Sequence, residues 1–120
     1  MARVLVAAAT TPGAYPTLQP TANSQDVTFQ AADAALGNYT PVVEAKTLVL
    51  VQNIAVGAKT VTFTSIVDTL NRTGDITAYS VGAGEIAIFG PFKAVGWSHS
   101  GQVWMDGEDA NIKFAVITLP

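Results

Sequence analysis

Apolar and polar residues alternate over short stretches along most of this chain. Val61 and Phe63, for example, alternate with three threonines. A period of two places apolar side chains on one face of a β-strand, so this pattern predicts half-buried strands. The alternation and the turn residues that divide it predict about eight strands: residues 3–8, 26–30, 47–53, 60–65, 75–81, 85–89, 102–106 and 112–119.

A helical signal is present only in residues 30–36, where good helix formers precede Gly37 and Asn38. It predicts one or two turns of helix. Many short strands separated by Gly, Pro and Asn, without helix-length linkers, indicate an all-β fold. We therefore expect an antiparallel β-sandwich or jelly roll with little helix.

Three short links between predicted strands have the composition of hairpin turns. They are residues 54–59, the Gly-Ala-Gly-Glu stretch at 82–85, and the acidic stretch at 107–111. The glycines of residues 82–84 also raise the question of a phosphate-binding loop. Such a loop opens a helix and is followed by Lys and Ser or Thr, whereas residues 85–89 have the pattern of a strand. The glycines are therefore interpreted as a strand connection.

The chain has the length of one domain, and residues 1–120 are predicted to share a single core. Residues 1–25 are interpreted as an extended N-terminal arm and loop. Residues 10–25 hold three of the six prolines and show no periodicity. Long unpatterned loops in compact domains often bind a partner. The candidate protein-contact residues in this loop are Tyr15, Pro16, Leu18 and Pro20.

Composition narrows the class of partner. Charged residues make up 12% of the chain and hydrophobic residues 49%, so small neutral and apolar residues must cover much of the surface. Such a surface favours large contacts with other protein chains. The net charge of −3 argues against a nucleic-acid partner. The apolar runs fall well short of the roughly 20 residues that span a bilayer, so no membrane partner is expected.

Catalytic and metal-binding signals are weak. His99, the single histidine, lies between two serines outside any nucleophile motif, and is interpreted as a loop residue. The acidic stretch from Asp106 to Asp109 lacks the register of a calcium loop and is interpreted as a solvated turn. Glu44 and Glu85 are far apart in sequence. No catalytic residue, cofactor or metal is predicted.

Two tryptophans complete the candidate sites. Trp104 alternates with Val103 and Met105 and is expected on the opposite face of its strand. Trp97 lies in a loop bounded by glycines, and aromatic side chains in such loops are typical interface anchors. Trp97 is therefore the fifth candidate protein-contact residue.

Four motifs in order resemble those of small tailed-phage virion proteins of the capsid cement or decoration type. They lie at residues 51–63, 81–85, 89–92 and 115–120, and the resemblance spans residues 47–120. The resemblance implies a β-sandwich or jelly-roll subunit without enzymatic activity. Its implied location is the outer surface of a phage capsid, after synthesis in the host cytoplasm.

The resemblance also implies partners. These are the major capsid protein and other copies of the chain, as a homotrimer or a dimer, with the trimer favoured. With few charges available, contacts to the shell are expected to depend only weakly on salt. Two other classes stay open on the sequence alone. A carbohydrate-binding or tail-associated adhesion module would also be a β-sandwich with exposed aromatic residues. A small hydrolase would require a pair of carboxylates buried in a cleft, for which Glu44 and Glu85 are the candidates.

Overall fold

The computed structural model describes residues 2–11 and 20–120, which form ten strands and one short helix. In chain order they are β1 (Val4–Leu5), β2 (Ala8–Thr10), β3 (Gln30–Ala31), β4 (Asn38–Pro41), β5 (Thr47–Asn53), β6 (Lys59–Phe63), β7 (Ile76–Val81), β8 (Ile86–Phe92), α1 (Ala94–Trp97), β9 (Gln102–Gly107) and β10 (Ile112–Thr118). Helix α1 is a single turn that contains a positive φ of 90° at Gly96. The predicted all-β class is confirmed.

The strands form two mixed sheets that pack into a sandwich. The first sheet has the order β1-β4-β9-β6-β7, and the second has the order β2-β10-β5-β8, with β3 also paired to β10. Pairing is antiparallel throughout the described residues, except that β1 is parallel to β4 and β2 is parallel to β10. The sheets were predicted to be antiparallel, and the two N-terminal strands make them mixed.

The core lies between the sheets and follows the alternation seen in the sequence. Strand β5 alternates strictly between buried and half-buried residues. Phe63 of the first sheet lies at the centre of an aromatic cluster, with ring centroids 4.7 Å from Phe89 and 5.5 Å from Phe92 of the second. Contacts of this kind fasten one sheet to the other through apolar burial.

The predicted helix at residues 30–36 is reduced to one turn. Gln30 and Ala31 form β3, and the Asp33 carboxylate then accepts hydrogen bonds from the backbone N–H groups of Ala35 and Leu36. Gly37 ends the turn by donating to the Asp33 carbonyl at 2.7 Å. Short polar side chains compete with helix formation in this way. The next strand, β4, has little alternation in sequence and was not predicted.

The N-terminal predictions also need correction. Residues 3–8 were predicted as one strand, but they contribute to two, because the chain passes from β1 in the first sheet to β2 in the second. Val6 lies between them and is buried, so it fills the core at the crossing. The strand predicted at residues 26–30 is extended coil as far as Phe29.

The three links predicted as hairpin turns instead join the two sheets. The β5–β6, β7–β8 and β9–β10 links each connect strands that lie in different sheets. Alternation alone does not distinguish the two arrangements, because both place the apolar face of each strand on the core. Links of four or five residues also suffice to span the roughly 10 Å between packed sheets. Among the described strands, β6 and β7 are the consecutive pair that forms a hairpin.

Replacing Phe63 with Ala is expected to lower the free energy of unfolding by about 3–5 kcal/mol, because the ring is fully buried between the sheets. Urea unfolding measures this loss. Val56→Ala is the control, because Val56 is fully exposed in the β5–β6 link and should change stability by less than about 0.5 kcal/mol. Equal stability of the two variants would contradict the central position of Phe63.

Candidate protein-contact site

Several loops gather at one end of the sandwich and are tied to one another. This loop end comprises residues 42–46, 64–75 and 93–101. The Glu44 carboxylate accepts a hydrogen bond from the Ala94 backbone N–H at 2.7 Å, and Ile66 donates to the Gly96 carbonyl at 2.8 Å. Three separate stretches of the chain therefore form one connected surface.

Between two of these loops lies an open cleft of about 310 Å³, here called the Trp97 cleft. Its lining residues are Ser65, Ile66, Asp68, Arg72, Thr73, Gly74, Val95, Gly96 and Trp97. The Trp97 indole is half-buried and meets the Phe92 ring edge to face, with centroids 5.2 Å apart. One part of the indole thus packs on the core, and the remainder forms a wall of the cleft.

Ser65 and Asp75 close the base of residues 64–75, the longest of the three loops at the loop end. The Asp75 carboxylate accepts from the Ser65 backbone N–H at 2.7 Å and from the Ser65 hydroxyl at 2.6 Å. The same hydroxyl accepts from the Gly74 N–H at 2.9 Å. The Ser65 hydroxyl and N–H hold the pKa of Asp75 below its ordinary value, because they stabilise the ionised carboxylate. This Ser65–Asp75 clasp fixes where the loop leaves and rejoins the sandwich.

Asp68 organises the tip of the same loop. Its carboxylate accepts from the backbone N–H groups of Leu70 and Arg72 and from the Arg72 side chain. These bonds, led by the Arg72 N–H, lower the pKa of Asp68. The carboxylate is therefore occupied with the backbone of its own loop, and its charge is balanced by the Arg72 guanidinium.

Four large aliphatic side chains are exposed on the loop end, among polar and charged residues. Val67, Leu70 and Val95 are 55%, 68% and 70% exposed, and Val43 is also exposed. Single exposed aliphatic residues are normal, but these four lie on loops that are tied together. The loop end also carries three acidic and three basic residues, so its net charge is balanced and its aliphatic contact area is divided by charged side chains: Glu44, Lys46, Asp68, Arg72, Asp75 and Lys93.

The structure places the candidate contact residues in different environments. Tyr15, Pro16 and Leu18 lie outside the described residues, and Pro20 is exposed. Trp97 lines the cleft but also packs on the core, so the indole is shared between the two roles. Sequence reasoning missed Val67, Leu70 and Val95, although each is an aliphatic residue in a stretch that alternation excludes from the strands.

His99 and Trp104 occupy the outer face of the first sheet, and Trp104 lies opposite the buried Val103 and Met105, as expected. The imidazole stacks parallel on the indole with centroids 3.8 Å apart, and the Arg3 guanidinium lies 4.4 Å from the indole centroid. A ring stacked this closely covers one face, so Arg3 lies against the other. The Trp104 side chain also lines an open pocket of about 500 Å³ together with Tyr39 and Gln102.

The acidic residues of the stretch from Asp106 to Asp109 are engaged in ion pairs. Asp106 pairs with Arg3 at 2.9 Å, and Asp109 pairs with Lys59 at 2.8 Å. The Lys59 ammonium lowers the pKa of Asp109, and its own pKa is raised in turn. Glu44 and Glu85 lie at opposite ends of β5, since Glu44 bonds the loop end and Glu85 bonds Asn53. Across residues 2–11 and 20–120, no cluster of acidic or histidine side chains has the arrangement of a metal site.

Comparisons with protein-family models, curated proteins and solved structures find no match to this chain. Within the part of the chain that the structure describes, no helix has the length and apolarity needed to cross a bilayer. The candidate site therefore depends on the geometry of the loop end itself.

Trp97→Ala is expected to lower the free energy of unfolding by about 2 kcal/mol, roughly half the loss for a fully buried Trp, because part of the indole packs on Phe92 and the core. Val95→Ala in the same turn is the control and should cost less than about 0.5 kcal/mol. Thermal or urea unfolding of both variants gives the measurement. An unchanged Trp97→Ala stability would place the indole outside the core.

Acidification is expected to remove the contribution of the clasp to stability. The folded-state pKa of Asp75 lies below its ordinary value of 3.8, so the contribution is present above 3.8 and is lost as pH falls through the folded value. Urea midpoints should therefore favour the wild type over Asp75→Asn at pH 7, and the difference should disappear in acid. Asp26→Asn, at an exposed site, should match the wild type at pH 7. A difference that persisted in acid would contradict the ionised clasp.

Proposed function

We propose that this chain is a structural protein of a tailed-phage virion that binds the outside of the head and strengthens it. Its partners in this role are the major capsid protein and other copies of itself. The motifs described above suggest the class, and the sparsely charged sandwich is compatible with it. The exposed aliphatic residues on the tied loops of the loop end are the observation that carries the proposal, because they offer a fixed contact surface.

Preorganisation is what makes the loop end suitable for docking. Binding through a flexible loop loses conformational entropy, which weakens the association. Here the Ser65–Asp75 clasp, the Asp68 bonds and the Glu44 bond to Ala94 hold the loops before any partner arrives. The exposed Val67, Leu70 and Val95 are thus presented on a surface that needs little further ordering.

Strengthening a shell in this way requires no chemistry. A protein that binds the assembled shell but not its dissociated parts stabilises the shell by mass action. Many equivalent sites on one head multiply a modest contact. The aliphatic side chains of the loop end supply such a contact through apolar burial, which depends little on ionic strength.

The test uses heads of a phage that encodes this chain, produced with its gene deleted. Purified chain added back is expected to bind these heads and to raise the temperature at which they release DNA. Binding should weaken only slightly when salt is raised. A chain that does not bind the heads would contradict the proposal, and binding to glycans instead would support the adhesion class.

A matched pair of variants locates the docking surface. Val95→Asp places a charge in the Trp97 cleft and is expected to weaken head binding at least about tenfold, a loss of about 1.4 kcal/mol, at an unchanged thermal midpoint. Val56→Asp adds the same charge to a fully exposed residue in the β5–β6 link, at the other end of β5, and should bind like the wild type. Equal binding by both variants would remove the loop end as the docking surface.

A further inference from the structure

The edge strands on the two sides of the sandwich differ greatly in length. On one side the sheets end in β7 and β8, of six and seven residues. On the other side they end in β1, β2 and β3, which have two or three residues each. Very short edge strands are one way in which proteins prevent edge pairing. The side formed by β7 and β8, here called the open side, lacks this protection.

The backbone of β8 has hydrogen-bonding groups directed away from its sheet. Asn53 donates to the Glu85 carbonyl, and the register continues with Val51 opposite Ala87 and Val49 opposite Phe89. Because antiparallel partners alternate, Ala87 and Phe89 bond β5, and the N–H and C=O groups of the residues between them point the other way. Those residues are Ile86 and Ile88.

The same alternation applies to β7. Thr60 bonds Glu108 on the β9 side, so Lys59 and Val61 bond β7 and the groups of Ser80 point outward. The open side therefore presents backbone donors and acceptors from both sheets. Unpaired strand edges of this kind are templates for another strand.

The side chains of the open side are apolar or neutral. Ile86 is 54% exposed and Ile88 is 65% exposed on β8, and Tyr79 is exposed on β7, where it packs edge to face on Phe89. Neither strand contains a charged residue; the nearest charges are Asp75, Glu85 and Lys93, just outside the strands. No lysine blocks strand addition on either strand, and the proline and register shift near Pro91 protect only the C-terminal end of β8, so residues 86–89 stay available for pairing.

We propose that the open side binds a second copy of this chain, with β8 of one copy paired antiparallel to β8 of the other. Ile86 of one copy then lies opposite Ile88 of the other, so two apolar cross-strand pairs form. The second sheet of each copy becomes one continuous sheet across the contact. This pairing specifies how two copies of the chain would contact each other in the proposed structural role. It rests on the proposed function only for the claim that the contact is used in a virion.

The absence of charge favours a copy of the same chain as the occupant. A two-fold contact brings the same patch of both copies together, so a charge in that patch is placed near a charge of the same sign. Strands β7 and β8 avoid this repulsion because they carry no charge. A partner of different sequence would gain affinity and specificity from complementary charges, which the open side does not supply.

The number of open sides favours a dimer over the trimer that the sequence resemblance implies. A closed ring of three requires two different patches on each subunit, whereas a two-fold dimer uses one patch twice. Among the described residues, long edge strands occur on one side of the sandwich only. One patch of this kind is what a two-fold contact needs.

The size of the open side sets the expected affinity. Seven residues of β8 extend about 23 Å, and two packed sheets with their outer side chains are about 20 Å wide, so a pair of copies would bury roughly 900 Å² in total. This is below the range of about 1,200–2,000 Å² for stable complexes. We therefore expect a reversible dimer with a dissociation constant in the micromolar range or weaker.

Sedimentation velocity of the free chain, from about 1 μM to about 1 mM, tests this pairing. The wild type should pass from monomer to dimer, and Ile88→Lys should weaken dimerisation at least about tenfold at an unchanged thermal midpoint. Val56→Lys is the control, because it adds the same charge to an exposed aliphatic residue in the β5–β6 link. A wild type that stays monomeric at about 1 mM, or equal dimerisation of the two variants, would overturn the proposal.

A second variant separates strand pairing from simple apolar contact. The Ile88 N–H points away from β5, so Ile88→Pro leaves the bonds to β5 intact and removes one donor from the open edge. Loss of the dimer with a native thermal midpoint supports strand pairing, and retention of the dimer overturns it. Should Ile88→Pro fail to fold, Ile88→Lys decides. These experiments use no phage heads. A chain that does not dimerise would therefore not contradict head binding through the loop end.

Discussion

Asn53 is the residue on which the arrangement of both sheets depends. Its buried amide donates to the Gly57 and Val81 carbonyls and accepts from the Ala55 N–H, while its own backbone bonds Gly84 and Glu85. A buried polar group that lost these partners would be strongly destabilising. The amide thus joins the end of β5 in the second sheet to the end of β7 in the first.

This junction explains why the chain crosses between sheets where the sequence indicates hairpins. The Gly57 carbonyl is held four residues after Asn53, so the β5–β6 link turns back over the amide and enters the first sheet. Held between Val81 and Glu85, the same residue directs the β7–β8 link back to the second sheet. One side chain thereby leaves β7 and β8 together as the edges of the two sheets.

Alternation in the sequence predicted the strands whose faces are half-buried. It did not predict local structure that depends on hydrogen bonds from side chains. Strands β5 to β10 were located because their faces are half-buried, and the two-layer class followed from them. The turn at Asp33 has helix-forming composition, and the competing Asn38 and Asp33 side chains decide its structure. Trp97 was identified as a contact candidate from its loop, but alternation does not show that the α1 turn packs its indole on Phe92, five residues earlier in the chain.

The Ser65–Asp75 clasp also separates the loop above it from the sandwich below. Because the two ends of the loop are bonded to each other, residues 66–74 form a closed segment whose length and sequence are weakly coupled to the sheets. The entropy of closing a loop grows only slowly with its length. A foreign peptide inserted near Leu70 would therefore leave the sandwich folded, because the clasp preserves the frame below it, but it would interrupt the proposed docking surface.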